Sequence, residues 1–155
     1  MLAKQIVIEW RELKSKVTAR LLEDKNPSLC KVLWDNLPIE TIQSWAAVSG
    51  DAMYACHSIV ADVEPEYVEM YEDKKEYWGN MPIEKFRGHV YFNTMGSIWG
   101  FAIVWGDELT EPVPSVPVAR VEEEDLATLR KVGVKVTDDS LFFNKYYRLV
   151  VRKKE

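Results

Sequence analysis

The sequence predicts an α+β fold that consists mainly of short β-strands with two helices. Most of the apolar runs are short, rich in β-branched and aromatic residues and bounded by turn residues, whereas only two segments show helical spacing. The chain has 155 residues and is 47% hydrophobic, enough for the core of one globular domain over 1–155. It has only two cysteines, so no disulfide framework is expected.

The first third reads as a β-hairpin followed by a helix. Gln5–Trp10 and Lys14–Leu22 alternate apolar and polar residues, as strands with one buried face do. Asn26 is a suitable N-cap, and Pro27 fits the first position of a helix. This first helix is expected to end before Pro38, because a proline cannot continue it.

The middle of the chain predicts two strands and a long excursion. Glu40–Val48 and Ala52–Val60 read as strands joined by a turn at Ser49–Asp51. Ala61–Phe86 carries many charges and tyrosines without a clear period, which indicates a surface loop. Long loops are often functional, although an ordinary solvated insertion explains the composition equally well.

The last third predicts four strands and the second helix. Acidic residues crowd the first turn of a helix over Glu122–Val132, and Gly133 is suited to end it. Asp107–Pro117 contains three prolines and reads as a loop. The strands are His89–Asn93, Ile98–Trp105, Val118–Val121 and Tyr146–Val151.

Composition and spacing disfavour several classes of protein. The net charge of −5 argues against a nucleic-acid partner, and no apolar run reaches the ~20 residues that a membrane helix requires. No signal peptide is evident, so we expect a cytoplasmic protein. The seven glycines form no dinucleotide-binding or P-loop pattern, and the two histidines and two cysteines lack ligand spacing. We therefore expect neither a nucleotide cofactor nor a metal site.

Two parts of the sequence resemble the cyclophilins. Pro117–Glu122, with the helix that follows, is similar to the strand-to-helix passage near the end of that family. The N-terminal hairpin and the helix start at Asn26–Pro27 match the opening of the same fold. The resemblance covers nearly the whole chain and implies a cyclophilin-like closed β-barrel with two flanking helices.

A narrower resemblance points to an activity. Leu37–Gln43 and Val48–Tyr54 look similar to passages in the cyclophilin-like part of cucumopine and mikimopine synthases, and the chain also resembles small bacterial cyclophilin-like proteins of unassigned function. The opine resemblance implies a Pictet-Spengler enzyme without a cofactor, which condenses L-histidine, or a related amine, with a 2-oxo acid such as 2-oxoglutarate. The arginine and Phe-x-x-Gln pattern of proline-isomerising cyclophilins is missing from Thr41–Trp45 and Met53–Cys56.

Such a reaction requires a group that moves protons near neutral pH. His57 is the first choice, because an unperturbed histidine titrates near ~6.5 and His57 follows the segment that carries the resemblance. A half-buried histidine with a satisfied hydrogen bond is the alternative explanation. Glu66, Glu64 and Asp51 are alternative bases, and each of them could equally be an exposed charge. Cys56 cannot pair with His57, since adjacent strand residues point to opposite faces.

Substrate carboxylates and a cationic imine require further groups. Arg87 could clamp a carboxylate, although a plain surface arginine is the competing explanation. Polar contacts are predicted from Gln43, Ser49 and Tyr54, and pocket walls from Tyr91, Trp99 and Trp105. Tryptophans in a core, or aromatic residues at a homodimer interface, would explain the same composition.

Three functions therefore remain open at this point. The first is a cofactor-independent enzyme that brings an amino acid and a 2-oxo acid together in one pocket. The second is a barrel that binds a small molecule without chemistry, and the third is a proline isomerase with a different residue set.

Overall fold

The computed structural model describes residues 3–46, 49–68, 86–94, 100–109 and 115–155, which form eight strands and two α-helices. Short 3₁₀ turns at Arg11–Leu13 and Glu123–Asp125 join neighbouring elements. The helices are α1, Pro27–Asp35, and α2, Leu126–Phe143. The strands are β1, Gln5–Trp10; β2, Ser15–Leu21; β3, Ile39–Trp45; β4, Gly50–Cys56; β5, His89–Asn93; β6, Gly100–Leu109; β7, Pro117–Val121; and β8, Tyr147–Lys153.

The eight strands close into a barrel. Their order around it is β1-β2-β7-β5-β6-β4-β3-β8, and every neighbouring pair is antiparallel. Closure leaves no unpaired edge among the eight described strands, because β8 hydrogen-bonds back to β1. The predicted α+β class, a cyclophilin-like closed barrel with two flanking helices, is confirmed.

The hydrophobic core fills the barrel and continues under both helices. Alternate residues of each strand point inward, among them Ile6, Ile8 and Trp10 of β1, which are fully buried. The Cys30 thiol of α1 donates a hydrogen bond to the carbonyl of Val118, at a sulfur-to-oxygen distance of 3.3 Å. Burial raises the pKa of Cys30 to about 12, so this cysteine is a packing residue and not a nucleophile.

The second helix is longer than the sequence predicts. The sequence predicts an end at Gly133, but the helix runs ten residues further to Phe143, and Asn144, whose φ of 51° is left-handed, caps it. Gly133 serves packing instead, since a Cβ at this position would lie 2.1 Å from Cγ of Trp105. The missing side chain therefore lets α2 approach β6 closely.

The C-terminal ends of β6 and β4 differ from the predicted strand ends by four residues each. β6 extends to Leu109, into the predicted loop, because the Asp51 carboxylate accepts hydrogen bonds from the backbone of Asp107 and Glu108 at the end of the strand. β4 ends at Cys56 and not at Val60. Most of the predicted excursion over Ala61–Phe86 lies outside the described residues.

Substitution of Gly133 by alanine tests the contact between α2 and β6. Alanine at an ordinary helix position would stabilise by up to about 1 kcal/mol, but here its Cβ meets the Trp105 ring. We expect Gly133→Ala to lower the free energy of unfolding by about 1–3 kcal/mol in urea denaturation. Val134→Ala is the matched control, because Val134 is 42% exposed, and it should change stability by less than about 0.5 kcal/mol. A Gly133→Ala variant as stable as the parent would contradict the close contact between Gly133 and the Trp105 ring.

Candidate functional site

Two tyrosines stand on either side of an alanine on the outer surface of the barrel. The strand register pairs Ala102 of β6 with Tyr54 of β4 on one side and with Tyr91 of β5 on the other. Their neighbours Met53 and Ile103 point into the core, so these three side chains point outward. With strands about 4.8 Å apart, the backbones of the two tyrosines are roughly 10 Å from each other, and we call the position over Ala102 between them the slot. Tyr91 is buried here, with 2% of its surface exposed, and Ala102 packs against the same hydrophobic cluster.

A histidine lies beside this slot. His89 is two residues before Tyr91 on β5 and therefore shares its outward face. Its ring centroid is 6.0 Å from that of Tyr91 and 5.9 Å from that of Phe86, with both pairs close to perpendicular. His89 is only 4% exposed. We call the surface formed by Tyr54, Phe86, His89, Tyr91 and Ala102 the aromatic face.

Glycine makes room for one wall of the aromatic face. A Cβ at Gly100 would lie 2.7 Å from the hydroxyl oxygen of Tyr54, so the Tyr54 side chain lies directly over the glycine. Burial raises the pKa of the Tyr54 phenol, and the neighbouring Cys56 adds to this shift. Tyr54 is therefore a neutral phenol at physiological pH and can both donate and accept a hydrogen bond.

Charged groups predicted for catalysis and binding hold the end of β6 in place. Nε of Arg87 donates a hydrogen bond to Oδ1 of Asp107 at 2.7 Å, and the guanidinium forms a salt bridge with the same carboxylate. Oδ2 of Asp51 accepts from the backbone N–H of Asp107 at 3.0 Å and of Glu108 at 3.2 Å. These contacts favour structural roles for Arg87 and Asp51, because each already binds a protein partner.

His57 lies at a different place, directly after the end of β4. Its Nδ1 accepts a hydrogen bond from the N–H of Ile59 at 3.1 Å, which assigns the proton to Nε2 and makes Nε2 the donor to the Asn93 carbonyl at 2.8 Å. The ring packs on Phe92 and Phe101, with centroid distances of 4.6 and 5.4 Å. Both nitrogens are thus engaged, which favours the structural alternative for His57.

The pH dependence of stability tests this role of His57. Burial lowers its pKa from 6.5. Just below about pH 6.5 the imidazole is therefore protonated in the unfolded chain but remains neutral in the folded chain. The contribution of His57 to the free energy of unfolding should therefore have its full value above pH 6.5 and decrease as the pH falls below it. We expect the difference in unfolding free energy between the parent and His57→Gln to shrink between pH 7.5 and pH 5, measured by urea denaturation. A difference that stays constant with pH would contradict a buried neutral His57.

Two further predicted residues point into the barrel. Gln43 is fully buried, where its side-chain oxygen accepts from Nε1 of Trp10 at 3.2 Å and its nitrogen donates to the carbonyl of Tyr54 at 2.7 Å. Trp105 is 7% exposed, and its ring lies against Gly133. Both residues are part of the core, and neither belongs to the aromatic face.

The remaining predicted residues lie away from the aromatic face or outside the described residues. Oε1 of Glu66 accepts from the N–H of Ser28 at 3.2 Å in the first turn of α1, and hydrogen bonds from Ser28 lower the pKa of Glu66. Glu64 is exposed, and Ser49 lies in the turn before β4. Trp99 lies outside the described residues.

The structure thus brings together Tyr54 and Tyr91 from the predicted set and adds His89, which sequence reasoning missed. A usable signal was present, because alternation within the predicted strand His89–Asn93 already places His89 and Tyr91 on one face. Within the described ranges, no three His, Cys, Asp or Glu side chains are arranged to hold a metal ion. No helix of the described part of the chain has the length and apolar character needed to cross a membrane.

Solved structures that are similar to this chain include McbB and an archaeal protein. The structure of McbB in complex with tryptophan is 30% identical in sequence and superposes with a TM-score of 0.77. That match covers 96% of this chain but 44% of McbB, so this chain spans less than half the length of McbB. A hypothetical protein from Archaeoglobus fulgidus, solved in solution, is 14% identical with a TM-score of 0.59, and the match covers 98% of this chain and 95% of that protein. No family model and no curated protein sequence matches this chain.

Proposed function

We propose that this protein condenses an aromatic α-amino acid with a 2-oxo acid in a Pictet-Spengler reaction that needs no cofactor. The observation that carries the proposal is the similarity to McbB, which was solved with tryptophan bound, over 96% of this chain at 30% identity. The resemblance of Leu37–Gln43 and Val48–Tyr54 to opine synthases supports the same class of reaction.

The reaction has two steps whose atoms balance without an oxidant or reductant. The amine attacks the keto carbon of the 2-oxo acid, and the keto oxygen leaves as water to give an iminium ion. A ring carbon of the amino acid then attacks the iminium carbon to form a carbon–carbon bond, and the π electron pair of the C=N bond moves to nitrogen. Loss of the proton from the attacking ring carbon restores aromaticity. The product mass is the sum of both substrates minus one water.

The aromatic face supplies groups that suit these steps. The slot over Ala102 has a tyrosine on each side, and these rings could stabilise an iminium ion through cation–π contact. His89 lies against Tyr91 at 6.0 Å and is the proposed acceptor of the ring proton. Holding both substrates in the slot would supply much of the acceleration by proximity.

Tryptophan and histidine are the amino acids to test first. McbB binds tryptophan, whereas the opine synthases that the sequence resembles use histidine with 2-oxoglutarate. Both amino acids place a nucleophilic aromatic carbon at the distance from the amine that ring closure requires. Phe86, Tyr91 and Ala102 of the aromatic face belong to one hydrophobic cluster, which favours the larger indole.

Mass spectrometry of the purified protein with each amino acid and a panel of 2-oxo acids tests the proposal. We expect a protein-dependent product at the summed mass minus water. Borohydride distinguishes the products, because it adds two hydrogens to an open imine and leaves the ring-closed isomer unchanged. A thermal shift with an amino acid but no product from any pair would overturn the catalytic proposal and favour a binding protein without chemistry.

A further inference from the structure

Two arginines face each other on the outer surface next to the aromatic face. Arg20 of β2 is directly opposite Arg120 of β7, and Arg120 is directly opposite His89 of β5. Their strand neighbours Ala19 and Val121 point into the core, so the three side chains point outward in one row. Arg120 is therefore the cationic side chain next to His89.

The charge of this row is not neutralised by the described part of the chain. In that part, neither arginine forms an ion pair with a carboxylate, although several other arginines do. The nearby Glu122 accepts a hydrogen bond from the Gln5 amide at 2.9 Å instead. Like charges directly opposite each other destabilise a sheet, and an anion bound between them would relieve the repulsion.

We infer that Arg120 binds the carboxylate of the amino-acid substrate and makes the protein select amino acids over the corresponding amines. The inference rests on the proposed function. A carboxylate on the planar guanidinium would place the α-carbon beside His89 and direct the ring toward Tyr91 and the slot. Arg120 is then a specificity residue, because an amine that lacks the carboxylate cannot form the ion pair with its guanidinium.

Tryptophan and tryptamine differ only in this carboxylate and provide the test. With 2-oxoglutarate as co-substrate, we expect the parent protein to show a kcat/KM roughly 10- to 100-fold higher for tryptophan than for tryptamine. Arg120→Gln should bring this ratio close to one by lowering the value for tryptophan alone. Arg152→Gln is the matched control, because Arg152 pairs with Glu9 at 3.5 Å on another part of the barrel, and it should keep the parent ratio.

Three outcomes would overturn the inference. The first is a ratio of kcat/KM for tryptophan over tryptamine that is the same in Arg120→Gln as in the parent. The second is an equal loss of kcat/KM for both substrates, which indicates a structural role. The third concerns binding. If neither substrate turns over, the proposed function fails, and binding affinities measured by calorimetry test the inference separately. Arg120→Gln must then lower the affinity for tryptophan and leave the affinity for tryptamine unchanged. Any other result overturns the inference.

Discussion

Replacement of His89 by glutamine is expected to lower kcat for condensation by about 10²- to 10⁴-fold, the range typical of a lost acid–base group. His89 lies on the aromatic face with Tyr91 and Phe86, whereas both nitrogens of His57 are bound to the backbone. His57→Gln should therefore change stability more than turnover. Steady-state kinetics with tryptophan or histidine as substrate, on variants whose folding is verified by circular dichroism, provides the comparison.

The opposite pattern would reassign the roles of the two histidines. If His57→Gln removes turnover and His89→Gln leaves it intact, the reaction takes place at the end of the barrel and not on the aromatic face. A fall in affinity for the amino acid without a fall in kcat would show that His89 binds the substrate but does not move the proton.

Substitution of Ala102 by leucine is expected to block the slot between the tyrosines. The larger side chain points outward from the barrel and occupies the space above β6, where the aromatic ring of the substrate would lie. We expect tryptophan affinity, measured by calorimetry, to fall roughly 10- to 100-fold, since forcing extra methyl groups into a filled site costs about 1–3 kcal/mol.

The same substitution at an exposed alanine controls for the added apolar surface. Ala127 is exposed on α2, so Ala127→Leu should leave tryptophan affinity unchanged. Tryptophan binding by Ala102→Leu with the affinity of the parent would place the ligand elsewhere. Ala102 packs against the cluster that contains Phe86 and Tyr91, so the free energy of unfolding of Ala102→Leu without ligand is measured as well, to separate a packing defect from a blocked slot.

The strands were predictable because they carry their own signals, whereas the closed barrel was implied by the resemblance to cyclophilins. Alternation in Gln5–Trp10 and the Asn26–Pro27 helix start are local patterns, and the structure places elements at both positions. The predicted helix end at Gly133 is wrong, because the sequence does not distinguish a glycine that ends a helix from a glycine that accommodates Trp105. Only the fold shows which neighbour occupies the space of the missing Cβ.

The candidate site was only partly predictable because it depends on strand register. Tyr54 and Tyr91 were both selected from the sequence, but only the pairing of each with Ala102 shows that they stand beside one slot. The position of Arg120 opposite His89 depends on the pairing of β7 with β5, which the sequence does not reveal. His57 was selected for its position near the opine-like segment, and its hydrogen bonds to the backbone depend on tertiary structure.

Release of the ring hydrogen tests the central claim most directly. Tryptophan deuterated at C2 of the indole ring loses this deuterium only when that carbon forms the new bond and rearomatises. With the protein and a 2-oxo acid in ordinary water, the account predicts a condensation product one mass unit below the one that retains the label, and deuterium release at the rate of product formation. A product that retains the deuterium, or deuterium release at the same rate without the protein, would contradict it.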